Sequence, residues 1–400
     1  MKKEDISIKR KIVALFLATC MAASMTACGG QDASTDNAGS NNDTADDAAG
    51  DDAAGGDDTA GDDAAGGDDA AGDNAAGGDD AAGGKITVGF SQVGAESDWR
   101  TANSASMKET FSEANGYELI FDDAQQKQEN QIAAIRNFIQ QEVDYIVLAP
   151  VTETGWDTVL QEAYDAGIPV IIVDRMVNIS KDDLYTAWVG SNFQLEGEKA
   201  CAWLDAYAEA TGKGSEELNI IDIQGTIGAS AQIGRTAGLE AAIEAHDNWK
   251  LLEAQSGEFT QAKGQEVMES LLKQYDDIDV VYCENDNEAF GAIDAIEAAG
   301  KTVGKEIGKD ILVMSFDSTN AGLTDVLNGK IICNTECNPL HGPRVEEIIK
   351  KLEAGEEVEK QQFVDEEIFA GTEDVPSIKV NDAEYPVTTV TQEVIDGRAY

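Results

Sequence analysis

The chain is 400 residues long, with 28 Lys plus Arg against 77 Asp plus Glu and a formal net charge of −49. So acidic a chain repels nucleic acid, because nothing on it neutralises phosphate, and repels anionic headgroups unless a covalent lipid holds it to the membrane. Length alone admits two or three domains. The charge is uneven: the first 30 residues carry +3 and residues 31–84 carry −16, leaving −36 on the last 316.

In chain order, a basic start (KKEDISIKRK) precedes the apolar run IVALFLATCMAASM and the small residues TAC-GG. That pattern is an export signal, too short for a spanning helix, which needs roughly 20 apolar residues. The stretch Met25-Thr26-Ala27-Cys28 resembles the lipobox of bacterial lipoproteins. The resemblance implies a signal peptide over 1–27, cleavage before Cys28 and lipidation of that Cys, with acyl chains contributing ~0.8 kcal/mol per buried CH₂. Residues 31–84 hold 16 Asp, recurring DDAAGG and no aromatic, Leu, Ile or Val. With nothing to bury, 28–84 is expected to be a disordered acidic tether. A calcium-binding repeat would need ligands at fixed spacing with a closing acid, and none is apparent.

From Lys85 the texture changes. ITVGF (86–90), YELIFDD (117–123), YIVLAP (145–150), PVIIVDR (169–175) and LYTAWVG (184–190) are short apolar runs, with helical stretches near 99–114, 128–141 and 155–166 between them. The second half repeats this pattern with LNIIDIQG, KLLEAQSG, VVYCEND and DILVMSFD, and with helices near 194–211, 230–245, 261–274 and 287–299. Apolar runs of strand length alternating with helices predict parallel sheets covered on both faces. Two sets of four or five strands predict an α/β protein of two doubly wound lobes.

Ligands of open parallel sheets bind beyond the carboxyl ends of the strands, and polar residues recur there. Trp99 and Arg100 follow the first strand, Asp174 and Arg175 the fourth, and Arg235 opens a helix after IIDIQG. Asn285 follows VVYCE, Asp317 follows VMSF, and Glu336 follows IICNT. Glu96 and Ser97 in the first loop are ambiguous. Carboxylates and amides pair with hydroxyls, Arg offers a fixed fork of donors, and an indole face suits ring C–H bonds. Charges of both signs balance, which suits a neutral polyol. Asp and Asn after strands also serve as helix caps; the adjacent Asp174-Arg175 pair is the least cap-like.

Residues 85–400 resemble the ribose-type, type I periplasmic sugar-binding proteins of bacterial ABC importers, and among them the galactofuranose binders. The likeness is carried by FSQVGAESDWRTAN, DAQQKQENQIAAIRNFI, VDYIVLAPVTETGW, AGIPVIIVDR, IQGTIGASAQIGR and SGEFTQAKGQEVMES. It implies two lobes joined by three crossovers, 85–190 with 337–365 and 191–336 with 366–400. It also implies monosaccharide capture by lobe closure and delivery to a membrane permease, by a protein expected to be a monomer. The lipobox and the long acidic tether depart from the freely diffusing periplasmic pattern and predict a lipid anchor at the outer face of the cell membrane. Carried over by position, the ligand-binding residues fall on Trp99, Arg100, Asp174, Arg175, Arg235, Asn285, Asp317 and Glu336. Glu336 stands where the ribose binders have Gln, which argues against ribose and towards a furanose hexose or related sugar. A sugar sensor feeding a membrane receptor or kinase is the alternative use of the same fold.

Other classes find little support. His246 and His341 are expected on solvent-side helix positions, away from any nucleophile, so no enzyme is expected. A hydrolase needs one carboxyl with a raised pKa, whereas the neighbouring Arg residues would keep Asp174, Asp317 and Glu336 ionised. No GxGxxG or GxxxxGK[ST] cradle is present, and no cofactor or metal is expected. Cys333 and Cys337, four apart on a strand, would lie some 13 Å apart, too far to bridge. Single buried thiols are expected.

Overall fold

The computed structural model describes residues 85–400; the export signal, Cys28 and the acidic tether lie outside the described residues. The first half forms β1 (Ile86–Gln92), α1 (Asp98–Thr110), β2 (Tyr117–Asp123), α2 (Gln128–Gln140), β3 (Tyr145–Leu148), α3 (Asp157–Asp165), β4 (Val170–Val173) and β5 (Ala187–Gly190). There follow α4 (Phe193–Ala210), β6 (Leu218–Gln224), α5 (Ser230–Ala245), β7 (Trp249–Ser256), α6 (Gln261–Leu271) and β8 (Val280–Cys283). Next come α7 (Asp286–Ala298), β9 (Leu312–Asp317), α8 (Asn320–Leu327), β10 (Cys333–Glu336) and α9 (His341–Ala354). The chain ends with β11 (Gln361–Phe363), β12 (Ile368–Ala370), β13 (Ser377–Val380), β14 (Ala383–Pro386), β15 (Thr388–Thr389) and α10 (Gln392–Asp396).

The strands form two large sheets, of orders β11-β5-β4-β3-β1-β2 and β15-β12-β10-β9-β8-β6-β7. All pairs of the first sheet are parallel. The second is parallel from β7 to β10, then adds β12 antiparallel to β10 and β15 parallel to β12. Six and seven strands exceed the four or five expected in each. The extra ones, β11, β12 and β15, are strands of two or three residues at or next to a sheet edge, too short for an apolar run.

Helices on both faces make interior strands such as β3, β4 and β8 continuous apolar runs. On β3, Tyr145 and Val147 join the core cluster that holds Val88 and Phe90, while Ile146 and Leu148 join the opposite one with Ile135 and Phe138. On β8, Val280 and Tyr282 face the core under α4, and Val281 and Cys283 face that under α7. This is the period-two alternation of a strand buried on both sides. Cys201, Cys283, Cys333 and Cys337 are all free and buried.

The chain passes between the sheets three times: after Gly190, between β10 and α9, and between β11 and β12. Helix α9 returns to the first sheet, where Val345, Ile348 and Ile349 pack with Val88 and Phe90. In each sheet the order reverses beside one strand, β1 between β2 and β3 and β6 between β7 and β8. A crevice therefore opens beyond the carboxyl ends of both.

Candidate ligand-binding site

One cavity lies in that crevice, with some 280 Å³ of space, open solvent at its mouth included. The first lobe lines it with Glu96, Ser97, Trp99, Arg100, Asp174 and Arg175. The second lobe and the crossovers add Phe193, Ala231, Arg235, Phe259, Asn285, Asp317 and Cys337.

The floor on the first-lobe side is a buried ionic lattice. Ser97 caps α1 by accepting the Arg100 amide at 3.1 Å, which fixes the start of the helix. Arg100 sends Nε to Glu96 Oε1 at 2.9 Å and an Nη to Asp174 Oδ2 at 2.9 Å. Burial alone would lower the pKa of this guanidinium, but Glu96 and Asp174 outweigh it and raise the value. Arg175 donates to the Val151 carbonyl at 3.0 Å and stands 3.7 Å from Glu96 and 4.0 Å from Asp174. Burial, then the charge of Arg100, draws its pKa down to about 10, still protonated at neutral pH.

The second lobe answers with Arg235, which pairs with Glu196 at 2.8 Å and Asp317 at 3.5 Å and donates to the Glu284 carbonyl. Its pKa is raised, burial being overcome by Glu196, Cys337 and Asp317. Burial pushes the Asp317 carboxyl well above the usual range, with Arg235 opposing. Lined up around the cavity are three Arg, three carboxylates and the rings of Trp99, Phe193 and Phe259. Opposite charges in equal number, dense with donors and acceptors and faced by apolar rings, recognise hydroxyls on a carbon ring better than an ion.

Three lining residues hold backbones that non-glycine residues rarely adopt: Asp174 at φ 61°, Phe259 at φ 60° and Asp317 at φ 97°. Such strain concentrates where a side chain must be aimed. Trp99 is aimed by its indole N–H, which donates to the Cys337 carbonyl at 2.6 Å. Asn285 lines the cavity but also caps α7, accepting the Glu288 amide at 2.9 Å and donating to the Phe259 carbonyl at 3.1 Å. Asp286 beside it faces away, tying β9, α8 and β10 together through Ser315, Thr319 and Asn334.

Seven of the eight residues named from the sequence line the cavity, and Glu336 does not. Its carboxylate accepts the Tyr400 hydroxyl at 2.5 Å, Arg398 at 3.0 Å and the Glu367 amide at 2.9 Å, so it secures the C-terminus. Burial would raise its pKa, but these partners together lower it. One residue further, Cys337 reaches the cavity, because successive strand side chains point to opposite faces. His341 corrects another expectation. It is fully buried, shares Nδ1 with Asn103 at 2.9 Å, and burial lowers its pKa to about 4. His246 is half-buried, stacked on Trp249. Phe193 and Phe259 escaped sequence reading; the positive-φ Glu258-Phe259 turn after β7 is the nearest local signal.

Three hydrogen bonds join the lobes across the cleft: Asp98 N–H to Asn287 Oδ1 at 3.0 Å, Met176 N–H to Ser230 Oγ at 2.8 Å, and Glu153 N–H to the Gly228 carbonyl at 2.9 Å. The structure is therefore the closed arrangement.

Residues 88–335 match the model of the periplasmic binding protein domain. The galactofuranose-binding protein YtfQ of Escherichia coli K12 is 41% identical over 279 residues, covering 69% of this chain and 85% of that protein. A Mycobacterium smegmatis structure in complex with β-D-fucofuranose superposes with a TM-score of 0.68 at 43% identity, over 72% of this chain and 92% of that one. The periplasmic binding protein of the Shewanella sp. ANA-3 arabinose ABC transporter, bound to α- and β-L-arabinofuranose, gives 0.65 at 42% identity, over 71% and 91%. With a doubly wound pair of lobes closed on a polar cavity at their switch points, this chain belongs to the periplasmic binding protein family.

Proposed function

We propose that the protein captures a single monosaccharide between its lobes, in a furanose ring form or close to it, and delivers it to the permease of an ABC importer. The observation that carries this reading is the closed cavity of balanced Arg and carboxylate charge faced by Trp99, Phe193 and Phe259. The furanose-binding relatives support the ring form. In this reading Trp99 packs on the ring, while Arg100, Asp174, Arg175, Arg235, Asn285 and Asp317 bind hydroxyls and Cys337 takes the position expected of Glu336. Because both lobes contribute, ligand favours the closed state by its differential affinity. Lipidation of Cys28 would hold the folded part at the outer face of the cell membrane on its acidic tether. The protein acts as a carrier rather than an enzyme.

The test is isothermal titration with D-galactose, L-arabinose, D-fucose, D-fructose and D-ribose, followed by chemical analysis of the recovered sugar. One-to-one binding of at least one sugar, recovered unchanged, is expected. Conversion of the sugar, or binding of none, would overturn the reading.

A further inference from the structure

All three crossovers meet at one carboxylate. Ser191, on the first, donates to Glu366 Oε1 at 2.6 Å. The Asn338 amide, on the second, donates to the same oxygen at 2.8 Å. Glu366 itself lies on the third, and its carbonyl accepts Lys199 Nζ at 2.9 Å. Against this junction α4 brings Glu196 and the second crossover brings Cys337, whose ligand-type atoms lie within 4.8 Å of each other and of Glu366. Glu196 uses Oε2 on Arg235 at 2.8 Å, yet its Oε1 is buried with no hydrogen-bond partner. Two carboxyls so close, one with an orphaned buried oxygen, are satisfied if they share one proton. The positive charge a metal would bring is already supplied by Arg235 and Lys199.

We propose that Glu366 is the positioning residue of the hinge: sharing a proton with Glu196, it fastens the three crossovers in the closed geometry, so that sugar capture takes up a proton. This rests on the reading of the cavity as a monosaccharide site. The groups facing the pair are Arg235 on α5, Lys199 on α4, Glu336 on β10, Asp365 beside Glu366, Cys337 on the second crossover, and Asp317, which faces Glu196 and Cys337. Burial, then the charge of Glu196, pushes Glu366 well above the usual carboxylate range, with Ser191 and the Asn338 amide opposing. Burial likewise raises Glu196 against the pull of Arg235.

Opening turns the lobes about the crossovers and admits water to the pair, which lowers its affinity for the proton. A carboxyl whose pKa is higher in the closed state favours closure fully at pH below its open-state value. That advantage is lost as pH rises through the closed-state value. Glu366 does not line the cavity itself; it acts through the crossovers and, by way of Glu196, through Arg235.

The test is the Kd for the same five sugars between pH 5 and 9, for the wild type, Glu366→Gln and Ser191→Ala. In the wild type binding weakens as pH rises, by up to about tenfold per unit across the window, then levels. Glu366→Gln keeps an acceptor for Ser191 and Asn338 and gains an amide donor for Glu196, so it binds with a flat profile. Ser191→Ala removes a donor that favours the ionised form, so its profile moves to higher pH. A flat wild-type profile, which needs no variant to read, overturns the proposal, as does a Glu366→Gln slope equal to wild type. Failure of every sugar to bind at every pH is a different result: it overturns the sugar-capture reading, and this proposal with it.

Discussion

Asp174 holds the first-lobe lattice together. It sits at φ 61°, 2.9 Å from an Arg100 nitrogen and 4.0 Å from Arg175. Asn tolerates the left-handed backbone, so Asp174→Asn removes the charge with little strain. In the closed cleft this takes from Arg100 a partner at 2.9 Å and leaves Arg100 and Arg175 to share Glu96, and breaking a buried pair costs about 3–5 kcal/mol. Sugar affinity should fall at least about a hundredfold, measured by titration, while thermal unfolding of the free protein changes little. Unchanged affinity would remove Asp174 from the site. Glu284 makes a separate prediction about pH. Burial raises its carboxyl to about 8, with Thr236, the Gly225 amide and Arg235 opposing. An acid whose folded pKa is raised contributes stability that is complete below its unfolded value and is lost as pH rises through the folded one. Relative to Glu284→Gln, the wild type should therefore lose about a kcal/mol per pH unit between roughly pH 4.5 and 8. Equal unfolding profiles for the two proteins would contradict this.

At the scale of elements, α4 and α5 are pressed together through glycine. A Cβ on Gly238 would stand 2.6 Å from the backbone of Gly197, and one on Gly234 would meet Phe193 Cβ at 2.6 Å. This contact sets Phe193 and Arg235 beside the cavity. Gly238→Ala should cost about 1–3 kcal/mol by overpacking, read by chemical denaturation; an unaltered midpoint would show that the pair can slide apart freely. The interior strands were legible in the sequence because a strand buried on both faces is an unbroken apolar run. Strands β11, β12 and β15 were not, since two or three residues at a sheet edge carry no pattern. Helix α9 has a readable spacing at Val345, Ile348 and Ile349, but its return to the first sheet depends on contacts hundreds of residues apart. The same limit explains the site. Trp99, Arg100, Asp174, Arg175, Arg235 and Asp317 follow or end strands, or open helices, where topology points them at the crevice. Glu336 and Cys337 differ by one position and so by face, which only the register of β10 decides. Phe193, Phe259 and the buried His341 owe their places to the packing of distant segments.

For the whole molecule, two sheets of separate cores meet only through three crossovers and a closed cleft. Most of the cavity's polar groups already pair with one another, so an open form is tolerable and a ligand must add to these pairs rather than replace them. The central claim is that a monosaccharide occupies this cleft and holds it shut. Thermal unfolding against the five sugars tests it most directly, using protein first unfolded and refolded to strip any bound ligand. Ligand bound only to the native state adds RT ln(1 + [L]/Kd), about 2.7 kcal/mol at a hundredfold excess over Kd. A clear rise in midpoint with one or two sugars, much reduced in Asp174→Asn, is expected. An unchanged midpoint with all five, or a rise equal in Asp174→Asn, would contradict capture in this cleft.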